Sequence, residues 1–341
     1  MLKKAKKERL IWLDIMVTLL ALELMAFFYY GARAAAAAGT CVAVSFTAEL
    51  ISLRLMGKKF TADDLNCTSD ALMISLMLPA SVSYRLAVYA CIFATVIAKN
   101  IFGGRKNLIF SPAAAAYVFI MTSWSRETLM FPEPHTRLGV FDEPETLVHS
   151  ASHTFNISGS LNYTDLEILM GNFSGPAGAA SIMLLVIAAV MLIFRGDISA
   201  GAFLGSVLGT GLTAYLAPVG YSRMDSLGYS VAMNMVLFAS IYIVADRRIA
   251  PKRQLFAFFY GFLIAVTAYI LTLTDAKENA IIAASVLFTP AALALRTLER
   301  HIDSELEAER LRDEAAKAEE KAAEPDTQAE EVPGEEAQPD E

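Results

Sequence analysis

Residues 10–30 read LIWLDIMVTLLALELMAFFYY, and only Asp14 and Glu23 in that run are charged. At about 1.5 Å per residue a helix of this length is ~30 Å long, the thickness of a bilayer's hydrocarbon core. The run is too long for the apolar region of a signal peptide. It also carries two carboxylates and leads straight into a second apolar run. It therefore reads as an uncleaved first transmembrane helix.

The same pattern repeats along the chain. Clear runs follow at Ala34–Leu53, Gly175–Phe194, Ile198–Ala217 and Leu255–Thr274. Shorter ones lie at Ala71–Val82, Leu86–Ala98, Phe110–Trp124, Ser230–Ala245 and Ala280–Leu295. Hydrophobic residues make up 55% of 341, a fraction that ordinary soluble domains do not reach. Helices close their own backbone hydrogen bonds, which lipid cannot do for them. The predicted fold is an all-α polytopic membrane protein of about ten transmembrane helices, with residues 1–300 forming the bundle.

Charge orients it. With the N-terminus inside, the inner turns carry 18 Lys and Arg and the outer turns six. The excess of basic residues in cytoplasmic turns places both termini in the cytoplasm of a cell (inner) membrane. The net charge of −8 comes largely from residues 301–341. That segment is rich in Ala, Glu and Pro and nearly free of aromatics. A frayed helix and then a largely disordered acidic tail are expected there. The composition gives no reason to expect a nucleic-acid partner.

The one long outer loop, about 125–173, divides the runs five and five. An odd number per half turns the halves opposite ways, so an inverted repeat is expected, with ligand sites near the midplane between halves. Short or interrupted segments in matching places point to such a site. Ala71–Val82 is closed by Pro79, and its counterpart Ser230–Ala245 carries Asn234. Two tilted, well-buried helices would give the same pattern.

Cys41, Cys67 and Cys91 have no metal-site spacing and read as small core residues. Asn156 and Asn162 match the short glycosylation pattern, which chance also produces. His149 and His153 lack a third nearby ligand, so no metal is expected. Gly201, Gly205 and Gly209, four apart, permit close helix approach inside the subunit or at an interface. Charged groups at depth are costly, about 3 kcal/mol or more, and normally face a partner or a path. Glu49 reads either as part of a cation path or as a carboxyl that fixes helix packing. Glu23 reads as a carboxyl that fixes helix packing, and Asp14 sits near the cytoplasmic end, within reach of water.

One stretch carries a resemblance. Residues 97–113, IAKNIFGGRKNLIFSPA, are similar to the membrane-embedded D subunit of the Rnf ion-translocating electron-transport complex and to the related B subunit of the sodium-translocating NADH:quinone reductase. That family has a Phe-Gly-Gly turn and then Asn-x-Phe-Asn-Pro-Ala; Ser111 stands here for the second Asn. Ala48-Glu49, Asp64 ahead of Pro79, Gly171-Asn172 before Gly175 and Gly178, and Val244-Ala245-Asp246 continue the likeness. Glycine suits the tight turn at Gly103-Gly104, and Pro112 suits the first turn of a helix.

The resemblance implies a subunit that holds flavin and relays electrons coupled to sodium or proton movement, beside other membrane and peripheral subunits. Such a subunit would not catalyse alone, and no nucleophile or acid–base constellation is visible. It also implies flavin mononucleotide (FMN) joined through its phosphate to a Thr of the outer loop, in a Ser/Thr-Gly-Ala-Thr motif. The loop here reads Val148-His149-Ser150-Ala151-Ser152-His153-Thr154, without the Gly-Ala pair. Thr154 is the first candidate acceptor and Ser152 the second. Glu49, Asp64 and Asp246 are the ion-path candidates. A flavin-free solute channel or transporter with a similar bundle, or a flavin-free scaffold subunit, is the alternative.

Overall fold

The computed structural model describes residues 2–104, 108–220, 222–275 and 277–323. Helix α1 (Leu2–Tyr30) and helix α2 (Ala32–Leu55) form a hairpin about Gly31. Gly31 has φ 79°, and a Cβ there would strike the Leu138 carbonyl at 2.8 Å. Only glycine fits both constraints. A 3₁₀ turn, Ala62–Asn66, leads into α3 (Cys67–Met77), which ends before Pro79.

Helix α4 (Tyr84–Ile92) continues as a π-helix over Phe93–Ile101. Gly103 (φ 108°) and Gly104 (φ 75°) close it, their N–H groups reaching the carbonyls of Asn100 and Lys99. This is the tight turn the Gly-Gly pair foretold. Arg105, Lys106 and Asn107 lie outside the described residues. Helix α5 (Pro112–Ser123) starts with Pro112 in its first turn, and Ser111 caps it by accepting from the Ala114 N–H.

The long loop is ordered by short elements. They are α6 (Ser125–Thr128), β1 (Met130–Phe131) paired antiparallel with β2 (Val148–His149), α7 (Ala151–Ser158) and α8 (Asp165–Met170). Arg33, buried at the start of α2, donates to the carbonyls of Asp142, Ser81 and Val82 and ties this loop to the first half.

The second half holds α9 (Ala177–Ala180), α10 (Ile182–Arg195), α11 (Ala200–Leu216) and α12 (Arg223–Met233). Next come α13 (Val236–Ala239), a π segment Ser240–Val244, α14 (Gln254–Asp275), α15 (Ala280–Leu287) and α16 (Thr289–Ala323). The eighth predicted run is broken as its brevity suggested. α12 and α13 meet at a 53° bend, and Met235 takes φ 54°, a conformation that non-glycine residues seldom hold.

By length and composition four helices can cross a membrane, or six if each of two bent pairs counts as one span. Three shorter apolar helices, α5, α10 and α11, join them. The connections gather into two groups. In one, Ile198 bridges Asp246, Ser199 donates to the Ala245 carbonyl, and Arg296 donates to the Arg248 carbonyl. In the other, Leu138 bonds the Tyr30 carbonyl, Gly159 abuts Gly220, Tyr229 bonds Asp165, and Ser150 bonds Glu278.

The glycine stripe of α11 packs inside the subunit. A Cβ at Gly201 or Gly205 would overlap the α14 carbonyls of Gln254 and Phe258, and one at Gly261 would overlap the Ala202 carbonyl. The chain forms two compact units, residues 1–296 and 297–341. In the second, the tail expected to fray is helical as far as Ala323, with His301 and Glu305 one turn apart at 3.3 Å. The largely disordered tail is expected over 301–341, and helix α16 covers 301–323 of it; residues 324–341 lie outside the described residues.

Candidate functional site

Glu49 lies on the inner face of α2 and is 1% exposed. Its Oε1 accepts from Lys99 Nζ at 2.9 Å and its Oε2 from Asn100 Nδ2 at 3.0 Å. Lys99, itself 2% exposed, also donates to Asn66 Oδ1 at 3.0 Å. Two consecutive residues of one helix thus grip one carboxylate. The π-helix explains the geometry. It takes more residues per turn than an α-helix, so neighbouring side chains diverge less. The Gly103-Gly104 turn then fixes where that helix ends.

By sequence Lys99 belongs with the charges of an aqueous inner turn. It is instead the buried counter-charge of Glu49. Nothing about Lys99 in isolation marked it out. The signal was an ammonium placed directly after the apolar run Val96-Ile97-Ala98, in a chain with a deep carboxylate still lacking a partner.

Next to this cluster stands a second one from both halves of the chain. Asp70, at the start of α3, lies 3.8 Å from Arg248, and Asp246 holds Arg248 through both carboxylate oxygens at 2.7–3.0 Å. Asp70 also feels the charges of Lys99 and Glu49. Buried charges are dear to desolvate, and a pair is weak evidence of stability. Arg248 joins Asp70 of the first half of the chain to Asp246 of the second. Asp246 therefore lies in the cluster. Asp64 does not: its carboxylate accepts from Thr61 N and Oγ1 at 2.8 and 2.7 Å and caps the 3₁₀ turn.

A third charged cluster joins Asp14 of α1 to Arg195 and Asp197 at the α10–α11 turn. Arg195 Nε is 2.6 Å from Asp14 and 3.8 Å from Asp197. Burial, and then the neighbouring Asp14, push the Asp197 carboxyl up to about 6, against the pull of Arg195 and Arg247.

The loop helix α7 is stitched down on one side and open on the other. Ser150 caps it by accepting from the His153 N–H, and its own hydroxyl donates to Glu278 at 2.8 Å. Ser152 is buried and donates to the Met233 carbonyl at 2.6 Å, at the α12–α13 break. Asn156 pairs with Asn234 there at 2.9 Å. A broken span frees backbone and amide groups, and α7 satisfies them. Thr154 faces outward, exposed, its hydroxyl donating to the Ser150 carbonyl one turn back at 3.2 Å.

Of the two candidate acceptors, then, Thr154 presents a reachable hydroxyl and Ser152 does not. His149 lies on β2 and His153 on α7, yet their rings stand 4.7 Å apart. No group of three His, Cys, Asp or Glu with metal-site geometry exists among the described residues. Glu278, which the sequence did not single out, is 2% exposed, and burial pushes its carboxyl upward despite the Ser150 hydroxyl.

A helical membrane bundle with buried charge clusters, one of them joining its two halves, defines the class. Within that class the chain belongs to the NQR2, RnfD, RnfE family, whose model matches residues 2–296. It is 27% identical over 187 residues to the D subunit of the Na(+)-translocating ferredoxin:NAD(+) oxidoreductase complex of Acetobacterium woodii, covering 54% of this chain and 58% of that one. It is 23% identical over 266 residues to the D subunit of the ion-translocating oxidoreductase complex of Ectopseudomonas mendocina, covering 73% and 77%. With the D subunit of the ion-translocating oxidoreductase complex of Shewanella pealeana it shares 31% over 115 residues, 32% and 33% of the two chains. The chain thus spans less than two thirds of the first and third relatives it matches.

Proposed function

We propose that this chain is a membrane subunit of an ion-translocating oxidoreductase complex of the Rnf type. In this reading it crosses the inner membrane ten times as two inverted halves of five, with both termini in the cytoplasm. Other membrane and peripheral subunits are its partners. The gathering of the connections into two groups supports ten crossings, because each apolar run links one group to the other. Without Lys99, the count of 17 inner basic residues against six outer ones supports the orientation.

The observation that carries the functional reading is the Glu49–Lys99 pair and its continuation through Asp70, Arg248 and Asp246. The pair is buried, and its members lie on different helices. The arrangement offers a monovalent cation or a proton a carboxylate whose counter-charge is a side chain able to swing away. Glu49 and Asp246 are the proposed path residues. Asp64 is not retained, since its carboxylate is used in capping.

FMN is proposed at Thr154. The fit rests on the exposed hydroxyl of a helix anchored at Ser150, Ser152 and Asn156, beside the His149 and His153 rings. When bound, the flavin supplies one- and two-electron transfer. The chain's own residues hold the attachment helix rigid against the α12–α13 break.

Co-expression with a flavin transferase tests this. The full chain should fluoresce on a denaturing gel, and Thr154→Val should remove the signal. Ser152→Ala should keep the signal while destabilising the fold by about 1–3 kcal/mol, as the Met233 carbonyl loses its donor. A parent chain without fluorescence would return the reading to a flavin-free scaffold or solute transporter.

A further inference from the structure

Helix α2 buries Ala34, Ala38, Cys41, Ser45 and Glu49 on one face. Its other face is exposed and carries Ala35, Gly39 and Ala43, four residues apart. Other exposed faces of the bundle carry large side chains: Val17, Leu24 and Phe28 on α1, Val186 and Val190 on α10, Phe259 on α14. Lipid tails pack on such side chains readily. Small residues at this spacing are instead what lets a second helix approach closely. The chain holds its own reference for this. In α11 the same spacing is filled by α14, whose backbone would collide with a Cβ at Gly201 or Gly205. At Gly39 a Cβ would meet nothing within 4 Å.

The stripe forms one wall of an open groove of about 600 Å³ between α1 and α2. Its lining is apolar except for Glu23 and Thr68, and Thr68 is satisfied by the Leu65 carbonyl at 2.7 Å. Glu23 is 9% exposed. Ser75 bonds its carboxyl, and its Oε1 has no hydrogen-bond partner among the described residues. A buried polar atom left without a partner in an apolar setting is costly, so the occupant of the groove should bring one.

We propose that this groove seats a transmembrane helix of another subunit of the complex, which presents a hydroxyl, amide or ammonium donor to Glu23. The inference rests on the reading of the chain as a complex subunit. The groove wall runs from Ala35 to Phe46, eleven residue steps, or about 16 Å, the length of three helical turns. A lipid tail could fill that length but brings no donor to Glu23. The groove is the open counterpart of the seam that α11 and α14 close.

The test uses the assembled complex. Gly39→Leu projects a side chain into the groove from a position where a Cβ meets none of the chain's own atoms within 4 Å. The isolated variant should insert and melt as the parent does, while the purified complex loses one membrane subunit at least tenfold. Gly39→Ala should retain that subunit. A photo-crosslinking residue at Ala43, in an otherwise unaltered complex, should yield an adduct with a peptide from an apolar span of the same subunit. A full set of subunits with Gly39→Leu overturns the proposal, and so do adducts to lipid or quinone alone. If the parent chain purifies with no other subunit, the complex reading itself falls. If it purifies with them, Gly39→Leu and the Ala43 adduct judge the groove alone.

Discussion

Glu49 and Glu23 stand on adjacent helices, both almost wholly buried, in opposite surroundings. Glu49 faces the interior and has an ammonium, an amide and a second-half charge cluster around it. Glu23 faces a groove open to the outside of the bundle and has the Ser75 hydroxyl. Burial alone does not separate them, at 1% and 9% exposure. What separates them is whether the fold supplies a counter-charge. Glu49 has a counter-charge and an amide from within its own half of the chain. A carboxylate without a counter-charge at a surface waits for a group from elsewhere.

Removing one member of the interior pair should have the largest effect. Lys99→Met removes the counter-charge of Glu49 and leaves it only the Asn100 amide, a loss of about 3–5 kcal/mol for a buried pair. Thermal melts of the purified chain should show it. Adding Glu49→Gln to Lys99→Met should recover most of the stability while ion-dependent turnover of the complex stays severalfold down. Recovery of turnover with stability would make the pair structural, and the contrast with Glu23 would lose its functional half.

Chemical access should differ next. In the isolated chain an apolar carbodiimide, entering from the lipid side, should modify Glu23 severalfold more than Glu49, as read by peptide mass spectrometry. Lys99 and Asn100 close the approach to Glu49. Equal modification would show that the interior site is as open as the groove.

Asp197 provides the smallest effect, as a buried carboxyl with both a counter-charge and a like charge. Its folded value of about 6 lies above the ordinary 3.8, so the folded state binds the proton more tightly than the unfolded chain. Its stabilising contribution is complete below the lower value and is lost as the pH rises through the upper one. Asp197→Asn should flatten the melting temperature between pH 4 and 6 and raise it at pH 7.5 by about 1–2 °C. An unchanged pH profile would remove Asp14 and Arg195 as the controlling neighbours.

Much of the bundle was legible because lipid imposes a local requirement. Each crossing needs a run of apolar residues, and runs, turns and basic residues are all read along the chain. The same holds for the Gly103-Gly104 turn, the Ser111–Pro112 helix start and the weak eighth run, which the fold breaks at Met235. Each depends on neighbours a few residues apart. Family membership, too, followed from ordered local motifs.

Pairing was not legible, because it depends on residues far apart in sequence. Glu49 could be picked out as a deep carboxylate, but its partner Lys99 lies fifty residues on and looked like a turn charge. Asp64 looked equivalent to Glu49 until the fold gave it a capping hydroxyl three residues away. Ser152 and Thr154 were near equals as hydroxyls, and only the placement of Met233 behind α7 buried one and left the other exposed. The glycine stripe of α11 and the alanine–glycine stripe of α2 share one spacing, yet α14 covers the first, and among the described residues no helix covers the second at Gly39. The sequence by itself determined that the chain is a helical multi-pass membrane protein and which residues could carry charge within its apolar runs. The tertiary structure alone decided which of those charges meet, because in a medium without water a buried group's role is set by its nearest partner.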